Sequence, residues 1–346
     1  MELEYFLGID YNTWWFLVVG AVFSGYAILD GFDLGAGALH LFIKGDDHRR
    51  IALNAIGPVW DGNEVWLVIA GGALFAGFPV VYASLFSAFY TPFMMFLAAL
   101  IFRAVAIEFR SKEPMKWWRT TWDIAYSLSS ALLAILLGVV LGNVLNGIAL
   151  NDNFEYFGSW LSFLNPFSLI VAITTLALFM MHGAIYLSLK TKGKLFDNVT
   201  TFVRNAMIAF IIMFVILSFY TLVFEEHLTE RFKEFPILFV VPVVIVLSIA
   251  NIPRLITKEK YFGAFFFSAI TISMLLILSA VNLYPNIIVS TIDPENSLTV
   301  YNAASSQKSL GIMLTIAAIG APLAAFYSAF AFWTFRGKVE LDEHSY

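Results

Sequence analysis

The stretch Gly57-Pro58-Val59-Trp60-Asp61-Gly62-Asn63-Glu64-Val65-Trp66 sets two carboxylates, an amide and two indoles within ten residues of an otherwise almost unbroken apolar chain. The apolar tract 65–78 continues from it with no turn signal. A helix that began only at Val65 would be too short to cross about 30 Å of hydrocarbon. The acids are therefore expected inside a membrane-spanning helix, where each costs on the order of 2.5–3.5 kcal/mol at the bilayer centre. Carboxylates kept at that cost mark an ion or proton path, or a partner that neutralises them. Read instead as a loop, the stretch would carry no such cost.

Composition agrees with the membrane reading. Of 346 residues, 60% are hydrophobic and 13% charged, and the mean hydropathy is +0.80. A soluble chain of this length could not bury so much apolar surface. Apolar runs of about 20 residues dominate, so the fold class is all-α integral membrane and not β-barrel. The net charge of −5 with no basic tract argues against nucleic acid as a partner. The lack of cysteine excludes disulfides and thiolate-held metal. The N-terminus carries Glu2 and Glu4 in place of a positive region, and the first apolar run is too long for a signal, so no cleavable leader is expected.

Nine transmembrane helices are expected, roughly at 14–42, 51–77, 79–110, 119–146, 163–189, 203–224, 235–251, 262–283 and 309–335, the seventh short and bent by Pro242. Lys and Arg concentrate in alternate connections: Lys44, Arg49 and Arg50; Arg110, Lys112, Lys116 and Arg119; Lys190, Lys192, Lys194 and Arg204; Arg254, Lys258 and Lys260; then Arg336 and Lys338. The opposite connections hold only Arg231, Lys233 and Lys308. The positive-inside rule then places the N-terminus outside and the C-terminus in the cytoplasm, and an odd number of spans requires the same. Spans one to four and five to eight form two four-helix units of like orientation. Their resemblance is faint: a small-residue patch precedes a basic turn at 35–44 and again at 183–192. This is the pattern of a parallel repeat, with span nine left over. The corresponding divisions are 1–150, 151–290, and 291–346 for the external loop end, the peripheral ninth helix and the tail.

The remaining intramembrane ionisable groups lie in spans one and three. Asp30 and Asp33, three residues apart, share a helix face, and Gly31 and Gly35 beside them permit another helix to approach closely. Arg103 lies about two turns inside the basic boundary at Arg110, where it either snorkels or pairs with an acid of another span. At 1.5 Å per residue, Arg103 and Asp33 lie about 10–12 Å from the basic end, Asp30 and Asp61 about 16 Å and Glu64 about 20 Å, with Glu108 near the surface. Such a ladder suits a proton wire; a buried structural salt-bridge cluster has the same signature. His182, in Met180-Met181-His182-Gly183-Ala184, is the one histidine well inside a span; it is a candidate haem ligand, with a hydrogen bond between helices as the favoured reading. His40, His48, His227 and His344 fall at span ends or in polar connections.

With Leu29-Asp30-Gly31-Phe32-Asp33-Leu34-Gly35, Trp60-Asp61-Gly62-Asn63-Glu64-Val65-Trp66-Leu67, Gly71-Gly72-Ala73-Leu74-Phe75, Phe102-Arg103, Asn165-Pro166-Phe167 and Ser305-Ser306-Gln307, the chain resembles subunit II of the cytochrome bd-type quinol oxidases. The resemblance runs in order from span one to span nine. It implies two four-helix bundles plus a peripheral helix. It also implies a place in a bacterial inner-membrane complex that oxidises quinol and reduces O2 to water. The partner, subunit I, would carry two haems b and one haem d together with the quinol site. This chain would bind none of them, and a small single-span subunit and a structural quinone or lipid are left open. The family's proton route carries over onto Asp61, and after it onto Asp30, Asp33 and their charge partner Arg103; Glu64 and Glu108 join the path by their place on the ladder. Trp60 and Trp66 would lie near the partner's cofactor or fill the interface. Two rival readings are an ion-coupled secondary transporter and a purely structural membrane subunit.

Overall fold

The computed structural model describes residues 3–341; Glu2 and His344 lie outside them. The chain is helical almost throughout. Its elements are α1 (Tyr11–Leu39), α2 (Asp46–Ile56), α3 (Trp60–Gly77), α4 (Pro79–Ala88), α5 (Tyr90–Phe109), α6 (Lys116–Asn146), α7 (Pro166–Lys190), α8 (Gly193–Phe224), the short α9 (Glu230–Glu234), α10 (Val240–Thr257), α11 (Tyr261–Leu283) and α12 (Gln307–Thr334). Among the described residues, eight helical segments are long and apolar enough to cross a membrane. They include α1, α5 to α8 and α10 to α12. The remaining long helix, α3, has 18 residues, and at 1.5 Å per residue it reaches only about 27 Å.

Two expected spans are interrupted. The segment 51–77 is not one helix: it breaks at Gly57-Pro58-Val59 into α2 and α3. Gly57 is still helical, but Pro58 supplies no N–H to continue the helix and its ring crowds the preceding turn, which is the physical reason for the break. The segment 79–110 is interrupted at Phe89 between α4 and α5. Conversely, α8 begins ten residues before its expected start at 203, because nothing after Gly193 stops a helix. Pro242 falls in the first turn of α10, where its missing N–H costs nothing, and the proline inside that helix is Pro253.

The helices meet along seams of small residues. A Cβ at Gly35 would lie 1.7 Å from the Phe179 carbonyl oxygen, and one at Gly183 would lie 2.3 Å from the Ala36 nitrogen. The two small-residue patches read as a faint repeat therefore face each other, and α1 and α7 touch backbone to backbone through them. Small interfacial residues allow this close approach where lipid gives no hydrophobic drive between helices.

At the basic end, the tail doubles back under α7. Val339 N–H donates to the Lys190 carbonyl at 2.9 Å and the Lys338 ammonium to the Ser188 carbonyl at 2.9 Å. These are final-turn carbonyls that α7 itself cannot satisfy. At the opposite end a hairpin of β1 (Tyr5–Phe6) and β2 (Ile9–Asp10) and a second of β3 (Asn286–Ile288) and β4 (Leu298–Thr299) close over the helices.

Two quoted motifs serve this architecture. Asn165 caps α7, accepting from Ser168 N–H at 2.8 Å, and its amide donates to Asn143 Oδ1 at 2.8 Å. Ser305 caps the far end of α3, its N–H on the Gly77 carbonyl at 2.9 Å and its hydroxyl on the Ala76 carbonyl at 2.6 Å. Gln307 donates to Asn12 Oδ1 at 2.6 Å and so ties α12 to α1.

Candidate functional site

On α1, Asp30, Asp33, Gly37 and His40 succeed one another at intervals of three, four and three residues, which aligns them on one face. Asp30 and Asp33 are wholly buried. Arg103 of α5, also wholly buried, donates from Nη2 to Asp30 Oδ1 at 2.7 Å and reaches Glu64 Oε2 from Nη1 at 3.5 Å. It does not snorkel. Asp33 takes a different partner: Asn63 of α3 donates its amide to Asp33 Oδ2 at 2.8 Å and to the Leu29 carbonyl at 3.2 Å.

The break at 57–59 explains how α3 reaches them. Asn63 lies one turn inside α3 and level with Asp33, so α3 begins within the stack of helices beside α1 and not at their basic end. Asp61, in the first turn of α3, sits beside the helix N-terminus, whose unpaired N–H groups and dipole favour a negative charge.

The structure thus brings Asp30, Asp33, Glu64 and Arg103 into one cluster. Asp61 neighbours Glu64 but lies on the exposed face of α3 and joins none of the ion pairs among the described residues. Glu108 is half-buried and stands apart from the cluster. Trp60 and Trp66 are half-buried; Trp60 packs against the apolar cluster that includes Ile56 and Val59, and the Trp66 ring lies over Gly25.

Three carboxyl groups facing one guanidinium balance its charge only if two of them hold protons. Asp30 Oδ2, Asp33 Oδ1, Arg103 Nε and the Tyr26 hydroxyl are all buried without a protein hydrogen-bond partner. Buried polar atoms of this kind are served by ordered water. The arrangement can therefore hold and pass protons among closely spaced acids.

A second ionic cluster at the basic end was not singled out from the sequence. Asp123 of α6, 2% exposed, accepts from Arg110 Nε at 2.5 Å and from Arg49 Nη1 at 2.9 Å, and faces His40 Nε2 at 2.6 Å. Asp46 joins Arg110 at 2.8 Å to Arg119 at 2.5 Å. The available signal was Asp123 among Trp117, Trp118, Arg119 and Trp122, an acid within an interfacial aromatic belt that already holds a cation.

His182 is committed within the fold. Nδ1 lies 2.6 Å from Ser268 Oγ on α11 and Nε2 lies 3.1 Å from the Ile28 carbonyl on α1, and the ring stacks on Phe265. A haem ligand must present a free imidazole nitrogen to iron. His182 has both nitrogens occupied, and His40 is held against Asp123. These residues do not fit a haem. Among the described residues no group of three or more His, Asp or Glu could hold a metal ion.

Residues 11–335 match the family model described as cytochrome bd terminal oxidase subunit II. The chain is 32% identical to cytochrome bd-I ubiquinol oxidase subunit 2 of Escherichia coli (strain K12), covering 97% of each chain. It is 30% identical to cytochrome bd ubiquinol oxidase subunit 2 of Bacillus subtilis (strain 168), over 95% of this chain and 97% of that one. Its fold is similar to that of a chain of the bd oxidase from Geobacillus thermodenitrificans, with a TM-score of 0.75 and 17% identity over 94% of this chain and 99% of that one.

Proposed function

The chain belongs to the subunit II family of cytochrome bd terminal oxidases, and from that premise we propose that it is the accessory subunit of a quinol oxidase and carries protons toward the haem-bearing subunit I. Reduction of O2 to water consumes protons, and lipid supplies none. The observation that carries the reading is the buried cluster of Asp30, Asp33, Glu64 and Arg103, which borders on an exposed acid, Asp61.

In this reading protons enter from the cytoplasmic, basic end, are held among Asp33, Asp30 and Glu64, and leave at Asp61 on the face that the partner covers. Arg103 fixes the charge of the cluster, and Asn63 holds Asp33 in place. Glu108 lies toward the entrance. Trp60 and Trp66 flank the same face and pack toward the partner. Two haems b and one haem d reside in subunit I and supply the electron transfer and oxygen chemistry. α3 serves as the ninth span. The chain then forms two four-helix bundles, 1–150 and 151–290, plus the peripheral α12, with the N-terminus outside and the C-terminus in the cytoplasm of a bacterial inner membrane.

A cleft of about 1200 Å³ lined by Phe23, Phe93, Leu136, Phe179, Phe214 and Ile272 is apolar enough to take a lipid chain or a quinone tail. A small single-span subunit could sit on the exposed outer faces of α8 or α12.

The purely structural reading has one observation in its favour: Arg103 and Asp30 already form a buried ion pair. The test is purification in mild detergent. Co-purification with a haem-bearing membrane partner that oxidises quinol supports the oxidase assignment. A colourless chain with no such partner overturns it.

A further inference from the structure

The two ionic clusters are separated along α1 by Gly37, and two side chains of α6, Ser130 and Tyr126, fill the notch that this glycine leaves. A Cβ at Gly37 would lie 3.1 Å from Tyr126 Cζ, so the hydroxyl-bearing end of the phenol rests against α1 between Asp33 and His40. Tyr126 is 2% exposed. On one side its ring meets the His40 ring edge-on, with centroids 5.0 Å apart. On the other side, Asp33 lies one turn before Gly37 on the same face of α1, and the charges of Arg103, Asp33 and Asp30 are near enough to act on the phenol. Tyr126 also stands three residues from Asp123 on α6, hence on the same face.

We propose that Tyr126 is the proton relay between the cytoplasmic cluster of His40 and Asp123 and the membrane cluster of Asp33, Asp30 and Glu64. The proposal rests on the reading that this subunit's acids carry protons, and it adds the route by which those acids are filled.

The chemistry suits the position. Asp123 is engaged by Arg49, Arg110 and His40, so its oxygens are occupied by donors and it serves as an anchor. The imidazole beside it can take a proton on one nitrogen and release one from the other. A phenol oxygen both donates and accepts. A proton arriving on its lone pair lets the original O–H proton pass on, so the group ends as it began and no electrons move. The hydroxyl makes no hydrogen bond among the described residues, so each hop, from His40 and to Asp33, runs through water.

The test uses the purified two-subunit complex. Tyr126→Phe keeps the ring in the notch and removes only the oxygen. It should leave haem content and quinol reduction of the haems intact, slow steady-state oxygen uptake about tenfold and raise its solvent deuterium isotope effect. His40→Gln retains a hydrogen bond to Asp123 without a titrating ring. It should give a similar defect, and the double variant should be no slower than the worse single one, as for two steps in series. Should Tyr126→Phe accumulate poorly, the His40→Gln result decides. Asp33→Asn separates the two levels of the argument. If Asp33→Asn slows turnover while Tyr126→Phe and His40→Gln retain full oxygen uptake with an unchanged isotope effect, the relay is overturned and the acid route stands. If all three retain full turnover, the underlying reading falls with it.

Discussion

Arg103 Nη2 and Asp30 Oδ1 are 2.7 Å apart, and both side chains are completely withdrawn from solvent. A buried pair of this kind contributes little net stability against an apolar substitute, but removing one partner leaves an uncompensated charge at a cost of about 3–5 kcal/mol. Arg103→Leu is therefore expected to lower the amount of assembled complex sharply. Arg103→Leu with Asp30→Asn should recover part of it. Arg103→Leu with Asp33→Asn should recover less, because Asp33 is held by Asn63. Quantifying complex by haem content in extracted membranes checks this, and equal recovery by both double variants would contradict the pairing.

The contact between α1 and α7 leads to a second expectation. Gly35 and Gly183 each face backbone, which cannot move aside as a side-chain tip can. Gly183→Val or Gly35→Ala must force the helices apart or shift them along one another, and close-packed interiors yield poorly to such changes. Both variants should reduce assembled complex severely. Gly20→Ala, where the added methyl meets nothing within 4 Å, is the control and should be neutral. The measurement is thermal stability of the detergent-solubilised complex.

His182 gives a third. Its ring joins α1, α7 and α11 through Ile28, Ser268 and Phe265. Replacing it by Ala removes two buried hydrogen bonds and a stacked ring, worth several kcal/mol together. The complex should lose thermal stability, while the haem bound per assembled complex stays the same. A stoichiometric loss of one haem from an otherwise stable complex would make His182 an iron ligand after all.

The sequence exposed the acids of the cluster because a carboxylate stands out against an apolar run. Asp30, Asp33 and Glu64 stand out in this way, but helical rise sets only Asp33 at the depth of Arg103 and places Asp30 and Glu64 farther in, whereas the Arg103 guanidinium reaches both of those. Partner choice is not legible: Asp30 and Asp33 share one face of α1, yet Arg103 of α5 takes the first and Asn63 of α3 the second, and periodicity does not fix helix rotation. Asn63 carried no charge to attract notice, although its amide holds Asp33 in place. The helix break was announced by Gly57-Pro58 but was outweighed by the need for a long span. The acids do lie inside a helix, α3, while the residues before the break form the separate amphipathic segment α2. Asp123 was hidden for the opposite reason. It stands among cations and tryptophans at a helix end, where an acid is unremarked in sequence and only tertiary packing shows it to be buried.

Asp61 carries the last prediction. It is exposed on the isolated chain, beside the N-terminus of α3 and next to Glu64, and its face continues through Val65, Val68 and Phe75, all exposed. An apolar stripe with one acid at its end is what a membrane partner would cover and through which it would receive a proton. Asn is nearly isosteric, keeps hydrogen bonding, and cannot release a proton in the working range. Asp61→Asn should permit assembly with normal haem spectra and let quinol reduce the haems. Oxygen uptake should nevertheless fall at least about tenfold, equivalent to about 1.4 kcal/mol in barrier. Oxygen uptake and haem content are measured together on the purified variant. Full turnover with full haem removes Asp61 from the route. Loss of haem in parallel with activity would instead make it a contact that holds the two subunits together, and the exit from the Asp33–Glu64 cluster would then have to be sought elsewhere on the exposed face of α3.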